Sequence, residues 1–261
     1  MSLSLMQIKN LANKLLLVLF MTPLLCFGQA DNEIQVYASP TVGKNKTIFE
    51  LHNNYTFNGR KGLVDPSSAR WTNHTLEITH GFGNIFEVGF YTFTAFSPDG
   101  KFQYLGNQIR PRISAPADWG WNVGASLSME VGFFRPDQYL AFQMQGEIRP
   151  IIDKTMGNWY VSVNPNVEFV LTGADKEWSI APQVKGVYSF EKKFGVGLEY
   201  YSSLGAFKKI SSWKEQEHLL GPIFDLYTDP AWELQTGFLF GITPGSNQQI
   251  FKLLIGRRFG K

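Results

Sequence analysis

The sequence of 261 residues contains one cysteine, Cys26, and only four histidines. A single cysteine excludes an intramolecular disulfide and a cysteine metal site. No two histidines lie three to five residues apart, and the acidic residues are dispersed, so no metal-ligand spacing is present. The sequence therefore predicts neither a metal site nor a cofactor.

Long apolar runs and an excess of one charge are lacking as well. The apolar run from Leu15 to Phe27 covers about thirteen residues, which is too short for a spanning helix. The chain has 24 basic and 22 acidic residues, and both Lys9 and Lys14 precede this run. The remainder is formally neutral, so the charge balance gives no indication of a nucleic-acid partner.

Recognisable catalytic motifs are missing. No serine, asparagine or acidic residue near the histidines completes a triad in sequence. We therefore predict that the protein is not an enzyme. An envelope lipid enzyme would require His74 or His218 to meet a serine at the outer surface.

The N-terminus has the composition of an export signal. Lys9 and Lys14 form a basic region, an apolar region follows, and small and polar residues come after it. We expect a signal peptide at residues 1–28 that directs export, and Cys26 would be removed with it. A lipoprotein signal would need a small residue before Cys26, where the sequence has Leu25.

Beyond the signal, apolar and polar residues alternate in twelve regularly spaced segments. Most are ten to fifteen residues long, the length of a tilted strand that crosses a bilayer. Gly, Asn, Asp and Pro separate them, as at Gly83-Asn84 and Asp229-Pro230. The predicted strands are 46–58, 71–81, 84–95, 101–113, 120–132, 137–151, 158–171, 177–189, 193–203, 217–228, 231–242 and 247–259.

This pattern predicts an all-β fold, a closed antiparallel transmembrane β-barrel of about 12 strands over residues 46–261. Aromatic residues make up 15% of the chain, yet the mean hydropathy is only −0.13. A barrel explains both values, because half of each strand faces lipid and half faces a polar lumen. Counts of ten or fourteen strands stay open, and so does the oligomeric state.

The last predicted strand ends on an aromatic residue, Phe259, which lies on the same face as Phe251 and Ile255. A chain that ends in this way resembles bacterial outer-membrane β-barrels. The resemblance implies a multi-pass protein of the cell outer membrane, in contact with outer-membrane lipid and lipopolysaccharide and inserted by the barrel-assembly machinery.

Glu33 to Tyr37 is a further short alternating piece. As a thirteenth strand it would break the even strand count, so we interpret residues 29–45 as a short periplasmic or lumenal segment before the barrel. With twelve strands both termini lie in the periplasm. The longer connections, 59–70 and 204–216, then lie outside the cell.

Alternation also assigns the ionisable side chains that point inward. They are either ion pairs that fill the lumen or the lining of a hydrated path that selects a solute. The lumen-lining candidates are Glu50, His52, Glu77, Glu87, Arg110, Arg112, Glu130, Glu147, Arg149, Glu168, Lys185, Glu199, Asp225, Glu233, Lys252 and Arg258.

Five prolines lie inside predicted strands and point toward lipid by the same alternation. Since proline cannot donate to a strand ladder, each predicts a bulge or a missing hydrogen bond. The alternative to a purely local bulge is a kink that opens a lateral gap for an apolar substrate. The prolines are Pro111, Pro150, Pro165, Pro182 and Pro222.

Glu33-Ile-Gln-Val-Tyr37, followed by Phe49-Glu-Leu-His-Asn-Asn-Tyr55, resembles the opening of a family of uncharacterised Gram-negative outer-membrane β-barrels. More loosely, the chain is similar to transporter barrels encoded with aromatic-compound degradation pathways. The resemblance implies a passive pore or channel for small solutes, with hydrophobic or aromatic compounds among the candidates. The alternative is a non-conducting structural or surface-interaction barrel with a lumen filled by ion pairs.

Overall fold

The computed structural model describes residues 32–61, 69–135, 139–173, 176–227 and 229–260. The predicted signal peptide at 1–28, including Cys26, lies outside the described residues. So does most of the predicted outer connection 59–70, of which residues 62–68 are not described. Within the described ranges no helix has the length and apolarity to cross a membrane.

The regular structure is almost entirely β-strand, apart from a 3-10 turn at Ala117–Trp119. The strands are β1 Thr47–Arg60, β2 Thr72–Gly81, β3 Phe86–Phe96, β4 Phe102–Ser114, β5 Gly124–Phe134, β6 Gln143–Met156, β7 Trp159–Val170, β8 Glu177–Phe190, β9 Phe194–Ser203, β10 Gly205–Ala206, β11 Lys209–Ile210, β12 Glu217–Leu226, β13 Trp232–Gly241 and β14 Asn247–Phe259.

The long strands close into a barrel. Each pairs antiparallel with the next, and β1 pairs with β14 over its whole length, from Thr47–Phe259 to Arg60–Asn247. The short strands β10 and β11 form a hairpin beside Ser179, near the start of β8, and β9 pairs with both β8 and β12. The wall therefore contains twelve strands, and the prediction of a closed twelve-stranded antiparallel barrel is confirmed.

Burial alternates along each strand, as the pattern predicts. In β1, Ile48, Glu50 and His52 are buried, whereas Phe49 and Leu51 are exposed. Large apolar side chains are exposed along the outer faces of the other strands as well. A continuous apolar outer surface around a polar interior is the arrangement that a bilayer stabilises.

The two ends of the barrel differ. At the terminal end, where β1 begins and β14 ends, four of the five connections have two to five residues, and the fifth, 115–123, has nine. The loop end, at the opposite side, carries the longer connections 61–71 and 204–216. Tight turns at Gly83-Asn84 and Asp229-Pro230 lie at the terminal end, as the strand parity predicts.

One strand differs clearly from the prediction. β6 covers Gln143–Met156, whereas the alternation placed it at 137–151. Apolar residues become sparse after Ile152, so the pattern alone suggests that the strand ends there. The strand continues because Asp153 still points inward and finds partners there, and the turn comes at Gly157, with a φ of 61°.

Four of the five prolines lie in or next to a gap in strand pairing, as predicted, whereas the pairing of β7 with β8 continues without a gap past Pro182. Pairing of β6 with β7 stops between Ile148–Val167 and Ile152–Val163, a gap that contains Pro150 and Pro165. Comparable gaps lie next to Pro111, between β4 and β5, and next to Pro222, between β12 and β13. Pro165 is directly opposite Pro182 of β8, so three prolines form one row across three neighbouring strands.

Candidate functional site in the barrel lumen

The chain preceding β1 occupies the lumen. We call residues 32–43 the lumenal segment. Its apolar residues Ile34 and Val36 are buried in a cluster with four inward-facing wall residues. Those four are Tyr201, Leu219, Leu239 and Ile250. The main-chain carbonyl of Asn32 accepts hydrogen bonds from Thr75 Oγ1 at 2.8 Å and Asn54 Nδ2 at 3.2 Å.

Tyr37 connects opposite walls of the barrel. Its N–H donates to Asn164 Oδ1 of β7 at 2.8 Å, and its carbonyl accepts from the Ser162 hydroxyl at 2.7 Å. Its phenol oxygen lies 2.9 Å from the Tyr91 hydroxyl and 3.2 Å from Glu77 Oε2, on β3 and β2. The lumenal segment is therefore fixed from both sides at this level.

Two further contacts hold the segment near the terminal end. Asp153 accepts from the Ser39 N–H at 2.6 Å and from the Ser39 hydroxyl at 2.9 Å. Arg112 donates to the main-chain carbonyls of Ala38 and Pro40, each at 2.9 Å. Only side chains of the wall hold the segment at these positions, so no wall strand needs to be broken to release it.

Most predicted lumenal charges on β1 to β7 form two clusters, one around Arg110 and Arg112 and one around Arg149. Arg110 pairs with Glu77 and, at 3.1 Å, with Glu87, which also accepts from Arg112 at 2.6 Å. His52 Nε2 lies 3.6 Å from Glu77. These side chains are almost fully buried, so their Coulomb interactions are screened little by water.

The second group surrounds Arg149. Its guanidinium pairs with Glu147, approaches Glu130 at 3.6 Å and Glu33 at 3.9 Å, and lies 4.3 Å from the centre of the Tyr37 ring. The Arg149 guanidinium thus lies near three carboxylates and over the face of the Tyr37 ring. Glu33 belongs to the lumenal segment, so this ion pair also joins the segment to the wall.

Two predicted residues on this side form no ion pair in the part of the chain that the structure describes. Glu50 is 6% exposed and sits opposite Glu77. Glu168 is half-buried and sits opposite Glu147, which in turn is opposite Glu130. We call the eight inward carboxylates of β1 to β7 and the lumenal segment the acidic wall. They are Glu33, Glu50, Glu77, Glu87, Glu130, Glu147, Asp153 and Glu168.

The other predicted charges form a balanced cluster of Lys185, Glu199, Asp225 and Lys252. Lys252 Nζ donates to Glu199 and to Gln235 Oε1, both at 2.6 Å. Lys185 lies 3.0 Å from Asp225 and 3.7 Å from Glu199. Two ammonium groups therefore face two carboxylates, with no excess of either sign.

A tyrosine just beyond β12 completes this cluster toward the terminal end. The Tyr227 hydroxyl donates to Asp225 Oδ2 at 3.0 Å. Burial, together with the nearby Asp225 carboxylate, raises the pKa of Tyr227 to about 12. The phenol consequently stays protonated at neutral pH and remains a donor to that carboxylate.

The last predicted pair lies at the rim. Arg258 and Glu233 pair at 2.9 Å at the terminal end, and their side chains are 45% and 34% exposed. Both are more exposed than the other predicted lumenal residues that form ion pairs. An exposed pair of this kind contributes little to stability.

A cavity of about 880 Å³ opens at the terminal end of the lumen. It lies between the lumenal segment at Ser39 to Gly43, the connection 115–123 and the end of β6. Trp121 and Asp153 contribute an aromatic surface and a carboxylate to its lining. The cavity thus borders the lumenal segment at the terminal end of the barrel.

The sequence pattern missed several residues that shape this site. Glu33, Tyr37 and Ser39 lie in the segment 29–45, which the sequence analysis placed in the periplasm or the lumen, but their partners were not predicted because a segment before the first strand has no wall periodicity to orient it. Asp153 was missed because β6 was ended too early, although it is in phase with Glu147 and Arg149. Extending the predicted strand by two residues, from 151 to 153, would have included Asp153 among the inward-facing residues.

The histidines at the loop end do not form a catalytic pair in the described residues. The His74 ring bonds to Asn53 Oδ1 at 2.7 Å. The His218 ring bonds to the Tyr200 hydroxyl at 2.6 Å and to Gln216 Oε1 at 2.8 Å. Within the described ranges no cluster of three or more histidine or acidic side chains is arranged to hold a metal ion.

Two solved outer-membrane proteins have a similar architecture. The structure is similar to an outer-membrane channel from Pseudomonas putida F1, with a TM-score of 0.61 and 11% identity over 87% of this chain and 100% of that one. It is also similar to the KdgM porin, with a TM-score of 0.53 and 10% identity over 82% of this chain and 99% of the porin. The chain therefore has the fold of outer-membrane barrels.

Sequence comparison adds nothing to this likeness. No family model matches the chain, and no curated protein matches it.

Proposed function

We propose that this protein is a passive outer-membrane channel for small solutes, closed at mid-lumen by its own lumenal segment. The observation that carries the proposal is the way this segment is held. It fills the lumen through side-chain contacts, at Tyr37 and Ser39 among others, and it does not pair as a strand of the wall.

Three further features support a channel. The fold is that of outer-membrane channels. The wall residues that face inward are largely polar, whereas those that face outward are apolar. The cavity of about 880 Å³ already reaches from the terminal end to the lumenal segment, and displacement of a short segment would extend it through the barrel.

The test is single-channel conductance of the refolded protein in a planar bilayer, at two salt concentrations. We expect Tyr37→Ala to increase the conductance, because it removes the contacts with Glu77 and Tyr91 that fix the segment. Tyr139→Ala is the matched control, since that tyrosine is 80% exposed at the loop end and should leave conductance unchanged.

A folded Tyr37→Ala variant without conductance would contradict the proposal. It would favour the second reading of the same lumen, a non-conducting barrel in which buried ion pairs such as Arg110–Glu77 seal the interior. Retention of the barrel is checked by the difference in gel mobility between heated and unheated samples.

The row of prolines favours a further route, sideways through the wall, for hydrophobic or aromatic compounds. Pro150, Pro165 and Pro182 point outward at one level of β6, β7 and β8, where the β6–β7 pairing is interrupted. The looser similarity to transporter barrels of aromatic-degradation pathways supports the same solute class. Because fewer hydrogen bonds join β6 and β7 there, separating the two strands costs less free energy than elsewhere in the wall.

Replacing Pro165 by valine restores one N–H donor to this region. If apolar solutes leave the lumen here, Pro165→Val slows their uptake into cells, while uptake of a small polar solute stays the same. Pro222→Val, in a separate single-proline gap between β12 and β13, is the control. Equal uptake of every apolar compound tested in both variants would exclude the lateral route.

A further inference from the structure

The connection 204–216, which we call the hairpin loop, folds onto the outer face of the barrel. Its Trp213 ring lies 4.3 Å from the ring of His218. His218 points outward, since the next residue, Leu219, belongs to the inward cluster. The His218 Nδ1 bonds to the hydroxyl of the outward Tyr200 at 2.6 Å. His218 is only 4% exposed, so the hairpin loop covers part of the lipid-facing side of β9 and β12.

The start of the hairpin loop is fixed to the wall as well. Ala206 of β10 pairs with Ser179 of β8, and the Phe207 N–H donates to the Trp178 carbonyl at 2.8 Å. The hairpin loop is therefore held at both ends, on β8 and on β12. These contacts keep it at the loop-end edge of the apolar outer surface.

Large apolar side chains of the hairpin loop are exposed at this edge. Phe207 is 53% exposed, Ile210 49% and Trp213 59%, and Trp178 of the adjacent wall is 46% exposed. Aromatic side chains at the ends of transmembrane strands lie at the head-group level of the bilayer, where apolar and polar surroundings meet. Lipid is therefore the neighbour that these side chains fit.

The same loop carries an excess of positive charge. Lys208, Lys209 and Lys214 are exposed, and none of them forms an ion pair with another residue that the structure describes. Glu215 is the one acidic residue of the loop, which gives a net charge of +2. Its carboxylate accepts from the Ser212 hydroxyl at 2.9 Å and the Ser212 N–H at 3.1 Å. These hydrogen bonds hold the pKa of Glu215 below its usual range.

The neighbouring Glu217 does not offset the lysines, because it pairs with Arg60 at 3.0 Å. Three ammonium groups beside exposed rings at the bilayer edge match an amphiphile with an anionic head group and acyl chains. Lysines bind phosphate as point charges, and the rings supply apolar surface for the chains. A soluble acidic partner would leave the rings at the bilayer edge without a role.

We propose that the hairpin loop binds a phosphate-bearing lipid of the outer leaflet, namely lipopolysaccharide. The ammonium groups of Lys208, Lys209 and Lys214 would contact its phosphates, and Phe207, Ile210 and Trp213 its acyl chains. The inference rests on the expected placement of the loop end outside the cell. It goes beyond the proposed channel function and is independent of it, because the surface lies outside the lumen.

The experiment is the binding of fluorescently labelled lipopolysaccharide to the refolded exported chain in neutral detergent, followed by fluorescence anisotropy at low ionic strength. The test variant combines Lys208→Gln, Lys209→Gln and Lys214→Gln. Each lysine beside an anionic lipid surface contributes about a fivefold gain in affinity. We therefore expect the apparent dissociation constant of this variant to rise roughly a hundredfold.

The matched control combines Lys44→Gln, Lys46→Gln and Lys192→Gln, which removes the same charge from exposed lysines at the terminal end. This control should bind the lipid as the parent does, and gel mobility of unheated samples checks that both variants keep the barrel. Unchanged affinity in the test variant, or an equal loss in both variants, would overturn the inference.

Two further ligands identify what the loop recognises. Dephosphorylated lipopolysaccharide should bind the parent much more weakly than the intact lipid, because the lysines then lose their anionic partner. Inorganic phosphate alone should compete poorly, because it offers nothing to the rings. Equal binding of the dephosphorylated lipid, or inorganic phosphate that binds as tightly as the lipid, would contradict the assignment of a phosphate-bearing lipid.

Discussion

At the scale of the residue, buried charges in this barrel depend on their partners. Lys252 is 1% exposed and donates to Glu199, Gln235 and Tyr201. Lys252→Met removes the ammonium group and leaves Glu199 with the Tyr201 hydroxyl and, as its cationic partner, the more distant Lys185. Because an uncompensated buried charge is costly, we expect a loss of about 3–5 kcal/mol in the free energy of unfolding, measured by urea titration in lipid vesicles with tryptophan fluorescence.

Arg258 of the same strand provides the comparison. Its ion pair with Glu233 is largely exposed, so Arg258→Met should cost no more than about 1 kcal/mol. Equal losses in the two variants would mean that burial does not govern the strength of these pairs. Adding Glu199→Gln to Lys252→Met should recover part of the loss, since the stranded charge is then gone.

At the scale of the element, one strand carries an irregularity that requires a glycine. β3 and β4 shift register after Phe93, which pairs with Gly106, because Leu105 is an extra residue in β4. Gly106 has a φ of 150°, and a Cβ there would lie 2.0 Å from the Phe133 carbonyl oxygen. Gly106→Ala should cost about 1–3 kcal/mol of stability through this clash and backbone strain.

Gly186 is the matched position for this prediction. It lies within β8, its φ is not in the left-handed region, and a Cβ would meet no atom within 4 Å. Gly186→Ala should be neutral or slightly stabilising. The same urea titration distinguishes the two, and a neutral Gly106→Ala would show that the bulge can relax into a regular strand.

At the scale of the whole molecule, the even number of strands fixes both termini at one end, which we expect to face the periplasm. The β10–β11 hairpin is then outside the cell. Lys208→Cys, in this hairpin, should react with a membrane-impermeant maleimide on intact cells. Lys192→Cys, in a turn at the terminal end, should react only after the outer membrane is permeabilised.

The only native cysteine, Cys26, lies in the predicted signal peptide, so the exported chain provides a background without thiols. Reversed labelling of the two cysteines would mean that the barrel is inserted with its termini outward. The terminal end and its cavity would then face outward and not toward the periplasm.

The sequence alone predicted the closed barrel, a count of about twelve strands and the inward or outward face of the alternating wall residues, whereas the structure decided between ten, twelve and fourteen strands. These follow from a local rule, because side chains of a strand alternate between two environments, and lipid and lumen differ sharply in polarity. Even the strand boundaries agree within a few residues, except at β6, where polar residues near the end of the barrel hide the alternation.

Only the tertiary structure decided which charges meet. Arg60 pairs with Glu217, 157 positions along the chain, and Ser39 with Asp153, 114 positions away. Such partners depend on strand register, on the bulge at Gly106 and on the path of the lumenal segment, none of which alternation encodes. The excess of carboxylates on one wall and the row of three prolines arise in the same way, because barrel closure brings residues together that are distant in sequence.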